Sequence, residues 1–380
     1  MITEFTDFVQ NRALTMWATR GWDEANGSCY ESLASTGAPR MDQPKRTRVQ
    51  LRQIYVYAHA HFLGLRDSQA LVTELFDFLS IGALSNTSPG CIYLVSPSGQ
   101  ALDHTRDLYD QAFLLLAAAW SYRAFENQEY ITLAEETAHF LDNVLKAPNG
   151  GWYESDREIG AQAGQRRQNP HMHLFEAFLA LYEATQNDRW LVKAREVLSL
   201  FEQYFYDSKK ECLLEFFSPD WTPLQSDMQA VEPGHMLEWS WLLAQYQRLS
   251  GADYRDLSFK LLNKATALGL NNKTGLIYNV VEPDGSVCDS AHRLWPQTEY
   301  IKALITSIES GHNVAASSLD EAVQALLKHF RSPVSDDLWI ERVDANGTPI
   351  DSRTAASSFY HMFCAAAEYA RFHDALDQQQ

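Results

Sequence analysis

The chain has 380 residues, 46% of them hydrophobic, with 31 Lys and Arg against 49 Asp and Glu and a formal net charge of −18. That acidity argues against nucleic acid or an anionic membrane surface as partner and leaves a neutral small molecule open. No stretch approaches the ~18 uninterrupted apolar residues of a membrane span, and the start Met1-Ile2-Thr3-Glu4-Phe5 lacks the basic and apolar regions of a secretory leader.

Residues 5–20 place Phe5, Phe8, Val9, Leu14 and Trp17 at helical spacing and predict an amphipathic helix. Residues 21–31, polar and marked by Gly21 and Gly27, suit a short hairpin. Residues 48–60 read as a helix that is apolar and aromatic most of the way round, hence buried. The same three parts then return. Amphipathic helices are predicted over 68–82, 128–146, 188–206, 253–269 and 319–331. β-like excursions fall at 90–99, 150–155, 212–217, 275–281 and 338–343. Buried helices open at 107–113, 169–178, 231–243, 293–300 and 357–367.

Taking Arg52, Tyr109, His173, His235, Gln297 and His361 as markers, the steps are 57, 64, 62, 62 and 64 residues. A period of that kind signals a repeat architecture. Each unit contributes one wet-faced helix and one dry helix, so dry helices pack inside and the others cover them. Six units closing on themselves predict an all-α (α/α)6 barrel with short β-hairpins in the connecting loops. Residues 1–380 then form a single catalytic domain with a frayed tail at 375–380. The loops before the inner helices collect at one end, where a small-molecule pocket is expected.

The six inner entrances offer Arg48, Gln50 and Arg52; Tyr109 and Asp110; Asn169, His171 and His173; His235 and Glu238; Arg293, Trp295, Gln297 and Glu299; and Tyr360 and His361. Imidazoles, carboxylates and guanidiniums converging on one mouth suit proton transfer within a polyhydroxylated neutral ligand. Pro233-Gly234 reads as a turn feeding a helix, and His235 and Glu238, three apart, share one helical face. Structural roles stand beside these. Arg48 and Arg52 pair equally well with acids of the adjoining helix, Gln50 packs between helices, and Tyr109 suits core or site. His171 and His173 cannot share a face, so one of them is structural. His59 and His61 read as buried packing residues, and Glu176 as a buried partner. No H-E-x-x-H, G-x-G-x-x-G or P-loop is present. No cofactor and no metal is therefore expected; His171-x-His173 with Glu238 is the one arrangement that could hold Zn²⁺. Cys29, Cys91, Cys212, Cys288 and Cys364 follow no C-x-x-C spacing and read as reduced thiols of a cytoplasmic protein.

Several motifs together resemble the N-acylglucosamine 2-epimerase superfamily across roughly residues 10–372. They are Arg48-x-Gln50-x-Arg52-x-x-Tyr55, Asp107-Leu108-Tyr109-Asp110-x-Ala112-Phe113, Asn169-Pro170-x-Met172-His173-x-x-Glu176-Ala177, Glu232-Pro233-Gly234-His235-x-x-Glu238-Trp239, Trp295-x-Gln297-x-Glu299 and Phe359-Tyr360-His361. The resemblance implies metal-free acid–base catalysis on an aldose, with His361 and His235 as the catalytic pair. Arg52, Tyr109, Asn169, His173, Glu238, Trp295 and Gln297 would bind the sugar or orient the histidines. Two departures bear on the substrate: Phe363 follows His361 where relatives often carry Trp, and residues 218–231 contain no Arg or Lys where several relatives place a cation. Both favour an unmodified monosaccharide over a sulfonated or phosphorylated one.

The expected reaction is interconversion of D-mannose and D-fructose through an enediolate, with Glu238 orienting His235. The alternative is a sugar 2-epimerase acting on mannose/glucose or N-acylglucosamine/N-acylmannosamine. Further off lies an (α/α)6 glycoside hydrolase working through Asp110 with Glu238 or Glu299. The expected partner is the small-molecule sugar alone, in a monomer or homodimer.

Overall fold

The computed structural model describes residues 2–85, 88–224 and 230–378. The described residues form two concentric rings of helices. The inner ring comprises Thr47–Phe62, Leu108–Phe125, Gln168–Thr185, Pro233–Ser250, Leu294–Glu309 and Ala356–Asp377. Each inner helix packs on the next, and the sixth packs back on the first, so the ring is closed. The outer ring comprises residues 2–17, then Gln69–Gly82, Gln128–Phe140, Asp188–Leu200, Arg255–Gly269 and Ala316–Phe330. The N-terminal helix covers the last inner helix, which joins the two ends of the chain and completes the (α/α)6 barrel. Two outer helices are prolonged by single π-helical stretches, Leu141–Leu145 and Phe201–Phe205. The outermost tail residues, 379–380, lie outside the described residues.

The division into dry and wet helices follows from the sequence pattern. Residues such as Val56, Tyr57, Ala58, Leu114, Leu115, Phe175, Leu237 and Ile301 are fully buried on inner helices. Outer helices alternate. Val72, Leu75 and Leu79 face the core, while Ile81 and Val192 remain exposed.

Short β-contacts organise the mouth of the barrel. The segment just before each inner helix pairs with the excursion of the following unit. Lys45–Arg46 pairs with Leu94–Val95, Arg166–Arg167 with Phe216–Phe217, His292–Arg293 with Arg342–Val343, and Thr354–Ala355 with Ser32–Leu33. Single bridges, Asp107 to Ser155 and Val231 to Val281, complete the belt. Inner-helix starts are thus pinned to their neighbours, and that fixes the side chains of the first turns relative to one another.

Buried glutamines tie the same elements together. The amide of Gln50 exchanges hydrogen bonds with the backbone of Cys29 (2.9 and 2.9 Å), and Gln111 does so with Cys91 (2.9 and 2.9 Å). Gln297 does the same with Ile277 (2.7 and 3.0 Å). A side-chain amide here acts as one more rung of a ladder and satisfies buried backbone groups.

Two local expectations shift. The single hairpin expected at 90–99 is two, Leu84–Ser85 with Ser88–Cys91 and Leu94–Val95 with Ala101–Asp103. The excursion at 150–155 forms only isolated bridges, because Gly150 and Gly151 both adopt positive φ (88° and 67°) and turn the chain before a ladder can form.

Candidate active site

At the belt end of the barrel, the first turns of the inner helices enclose a cavity of 220 Å³. His361, His235, Arg52, Tyr109, Asn169, His173, Glu238 and Trp295 all line it, with Glu232, Arg293, Ser357 and Ser358 completing the wall. Helix N-termini surround this mouth, so its backbone field favours developing negative charge. Gln297 does not line the cavity. Although expected at the sugar, it is spent on Ile277 and on the carbonyl of Arg293 (2.8 Å).

Pro233 occupies the first helical turn rather than a preceding turn, and Glu232 is the N-cap residue. Proline suits that position, since its missing N–H would have had no helical partner. Gly234 has a different cause. A Cβ there would fall 2.6 Å from the Trp295 indole, so only glycine lets that ring lie against the helix start. Trp295 is thereby held between two imidazoles, with ring centroids 5.0 Å from His235 and 5.6 Å from His361.

Three imidazoles each turn Nδ1 to a buried glutamate. His361 Nδ1 lies 2.9 Å from Glu299, His235 Nδ1 3.0 Å from Glu215, and His173 Nδ1 3.2 Å from Glu176. Such pairing fixes which ring nitrogen faces the ligand. The Nε2 atoms differ in partner. That of His173 meets the Tyr109 hydroxyl at 3.2 Å, and this hydroxyl in turn accepts from Arg52 Nη2 at 2.8 Å. That of His235 meets the Asn169 side chain at 3.1 Å. Among the described residues no hydrogen bond engages Nε2 of His361, whose ring lines the cavity.

The surroundings push the three rings apart in proton affinity. Burial lowers His361 well below its ordinary 6.5, with Arg52, Lys302 and His173 adding repulsion. Burial lowers His173 to about 4, only partly offset by its hydrogen bond to Glu176. Burial acts on His235 as well, but Glu215 and Glu232 outweigh it and raise the group to about 10. These surroundings favour the imidazolium at His235 and the neutral ring at His361. As placed, it is Asn169 Nδ2 that faces His235 Nε2; a doubly protonated His235 requires the amide turned over, so that Nε2–H donates to Oδ1. That orientation also gives the otherwise unpartnered Asn169 Oδ1 its partner.

Glu238 lies beside a different imidazole from the one expected. Its carboxyl is 3.8 Å from His173 Nδ1 and close to Glu299 and His361, while His235 is oriented by Glu215. Spacing along one helix could not show that the hairpin ending at Phe217 carries a carboxylate over the first turn. Burial, followed by repulsion from Glu299, raises Glu238 well above the ordinary carboxylate range.

Other expectations resolve by position. His171 is the structural member of its pair: it is fully buried, with Nδ1 on the Arg167 carbonyl (2.9 Å) and Nε2 accepting from the Trp152 N–H (3.2 Å). His59 packs between Tyr55 and Trp120, whereas His61 sits half-buried near the helix end beside Asp67. Arg48 pairs with Asp107 and Asp110, and Asp110 is fully buried and off the cavity. Glu176 is more than a packing partner, since it holds both His173 and the Tyr360 hydroxyl.

Folding also assembles three His–carboxylate groups whose ligand atoms lie within 4.8 Å: His173–Glu176–Glu238, Glu215–Glu232–His235 and Glu238–Glu299–His361. None was visible at metal-ligand spacing along the chain. In each group an imidazole N–H already faces a carboxylate, and a cation would have to displace that proton.

A larger cavity, 580 Å³, opens at the opposite end of the inner helices beside His59, Trp120 and Trp241. Its charged side chains are largely satisfied by one another, Arg371 with Glu309 and Glu368, and Arg123 and Arg248 with Glu183. The convergent imidazoles are all at the smaller cavity.

A closed double ring of helices with imidazoles, carboxylates and a guanidinium gathered at one mouth defines an (α/α)6 barrel with a candidate active site at that end. Residues 28–365 match the sequence profile of the N-acylglucosamine 2-epimerase (GlcNAc 2-epimerase) family, and the chain belongs to it. A mannose-6-phosphate isomerase of Rhizobium meliloti (strain 1021) is 32% identical, covering 96% of this chain and 95% of that one. A cellobiose 2-epimerase of Dictyoglomus turgidum is 23% identical over 91% and 92%. The crystal structure of a D-mannose isomerase superposes with a TM-score of 0.88 at 20% identity, covering 97% of each chain, and so shares the fold. The protein is an enzyme of the isomerase and epimerase class. Among the described residues no helix is long and apolar enough to cross a membrane.

Proposed function

We propose that this protein is an aldose–ketose isomerase that interconverts D-mannose and D-fructose. The observation that carries the reading is the unequal setting of two imidazoles on one small cavity: His235 lies against the carboxylates of Glu215 and Glu232, which raise it, while burial and the cations Arg52 and Lys302 lower His361. Two titratable groups pushed apart in this way take the acid and base roles.

The cyclic sugar is inert at C2 until its ring opens. His235 donates a proton to the ring oxygen O5 and takes back the proton released from O1, leaving an aldehyde. His361 Nε2 then removes the C2 proton, and the electrons of that bond move toward C1 and onto O1. Arg52 and the protonated His235 stabilise the enediolate oxygen. His361 returns its proton to C1, the O2 proton passes to O1, and the ketose results. Return of a proton to C2 from the opposite face, where a protonated imidazole is also available, would give the 2-epimer.

The cavity volume supports a single hexose, since 220 Å³ lies below the ~300–1,000 Å³ of sites for larger ligands. A second substrate reading has a specific observation behind it. Arg293 is exposed at the cavity wall and makes no ion pair among the described residues, and a cation there suits a phosphate on C6. The name of the Rhizobium relative points the same way. Residues 225–229 of the preceding loop, which lacks Arg and Lys, lie outside the described residues. Unpaired cysteines, with Cys29, Cys91, Cys212 and Cys364 buried, fit a reducing cytoplasm.

The test is incubation with D-mannose, and separately with mannose 6-phosphate, in D₂O. Fructose or its phosphate as the product, with deuterium entering at C1, supports isomerisation, and the ratio of kcat/KM identifies the substrate. Glucose as the main product selects the epimerase. Absence of any C2–H exchange refutes both.

A further inference from the structure

Lys302 sits two turns into the fifth inner helix and is wholly buried. Its ammonium lies 2.7 Å from Glu299 Oε2, 3.9 Å from Cys364 Sγ, and 3.9 Å from the centre of the Trp241 ring. An isolated ammonium in such a place is costly, and burial works against its charge. The carboxyl groups of Glu299, Glu238 and Glu176 outweigh burial and keep it a cation. Burial pushes the Cys364 thiol up to about 12, so the sulfur stays neutral and the carboxylates carry the pairing.

Glu299 therefore bridges two groups. One oxygen is ion-paired with Lys302 at 2.7 Å, and the other receives Nδ1 of His361 at 2.9 Å. A second buried carboxyl, Glu238, shares the same space. Two carboxyls that close favour one bound proton between them. Which of them holds it determines what His361 can do. If Glu299 is ionised, it accepts from Nδ1–H and leaves Nε2 as a lone pair facing the cavity. If Glu299 is protonated, it donates to Nδ1, and the imidazole carries its proton on Nε2 instead.

We propose that Lys302 is a positioning residue that sets the tautomer of His361. By claiming Oε2 of Glu299 it keeps that carboxylate an acceptor and directs the shared proton to Glu238. The inference rests on His361 being the base, but the tautomer exists in the resting protein and is read without substrate.

The experiment compares wild type, Lys302→Met and the double variant Lys302→Met/Glu299→Gln. The side-chain ¹⁵N shifts of His361 are recorded by NMR, and kcat and KM are measured by C2–H exchange. Wild type carries its proton on Nδ1. Lys302→Met moves it to Nε2 and lowers kcat by ~10²–10⁴-fold, the usual worth of a general base, with KM nearly unchanged because an Nε2–H still binds sugar hydroxyls. The second change restores Nδ1–H and recovers roughly tenfold or more in kcat, since an amide oxygen accepts from Nδ1–H and has no proton to give. Removing both partners of a buried pair is also better tolerated than removing one. A purely structural lysine would show no such rescue. Lys302→Met that keeps both tautomer and kcat overturns the proposal, as does a double variant no better than the single. If Lys302→Met does not fold, the wild-type spectrum still decides, because Nε2–H in the resting protein overturns it outright. A wild-type protein that fails to exchange C2–H defeats the functional reading and leaves the tautomer measurement standing.

Discussion

Glu215→Gln isolates the origin of the acid. The carboxylate of Glu215 lies 3.0 Å from His235 Nδ1, and that of Glu232 lies at 3.8 Å. Together they raise His235 from 6.5 to about 10 against the opposing effect of burial. At ~1.36 kcal/mol per unit, that preference for the imidazolium amounts to about 5 kcal/mol. Glu215 is the larger of the two carboxylate contributions, so its loss should remove roughly half or more, about 2–3 kcal/mol, and move the titration down by roughly two units. The amide preserves size and one hydrogen bond. The assay is kcat against pH on the cyclic aldose. If His235 is the acid, as proposed, its protonated fraction sets the basic limb, which should fall by about two units in the variant. Stability provides a second readout. A raised folded-state pKa stabilises the fold fully below the unfolded value of 6.5, and that contribution disappears as pH rises through about 10. Glu215→Gln should therefore lower Tm at pH 6 and converge with wild type above pH 10. An unmoved basic limb would refute the assignment of the acid to the His235–Glu215 pair.

Three further outcomes are expected. His361→Ala should cut C2–H exchange by ~10²–10⁴-fold while calorimetry still detects sugar binding, since the base is lost and the cavity wall is not. Gln297→Met should cost about 1–3 kcal/mol in urea unfolding, because the Ile277 N–H loses its acceptor while its C=O keeps only His292, with KM unaffected. Dialysis against EDTA should leave turnover intact; a loss reversed by Mn²⁺ or Zn²⁺ would assign one of the His–carboxylate groups to a metal.

The barrel was legible because its information is periodic. Steps of 57 to 64 residues between markers repeat one unit, and a buried helix differs from a covering one in composition all round. Most of the cavity wall was legible for the same reason, since its side chains come from the same turn of successive inner helices. Gln297 shows the limit: in the repeat it occupies the role of Gln50, the ladder amide, and its polarity answers a backbone rather than a ligand. Glu215 shows the opposite failure. Excursion glutamates recur at Glu31, Glu154 and Glu341, where each accepts from the backbone N–H just before an inner helix. Glu215 is the equivalent residue turned to an imidazole, and aligning excursions rather than helices would have singled it out. Lys302 had no local signature. A lysine in an apolar helix is explained only by the acids that other helices bring around it.

The three imidazoles are built from the same parts, a buried ring with Nδ1 on a glutamate, yet they enter the reaction in different states. Burial disfavours charge on all of them, so the neighbours decide. His235 faces Glu215 and Glu232, two carboxylates, and the second lies at the helix start where Pro233 follows it. His361 is hydrogen-bonded to one carboxylate, Glu299, which is also ion-paired with Lys302, and Arg52 adds repulsion. His173 shares Arg52's field and gives its Nε2 to Tyr109, which occupies the position a ligand would take. The repeat therefore supplies three similar imidazoles, and the unequal placement of Glu232, Lys302 and Arg52 gives them different proton affinities, which on the proposed mechanism fits one as acid, one as base and one as support. A reaction that takes a proton from carbon while delivering another to oxygen needs both of the first two at once, on one substrate, in one cavity.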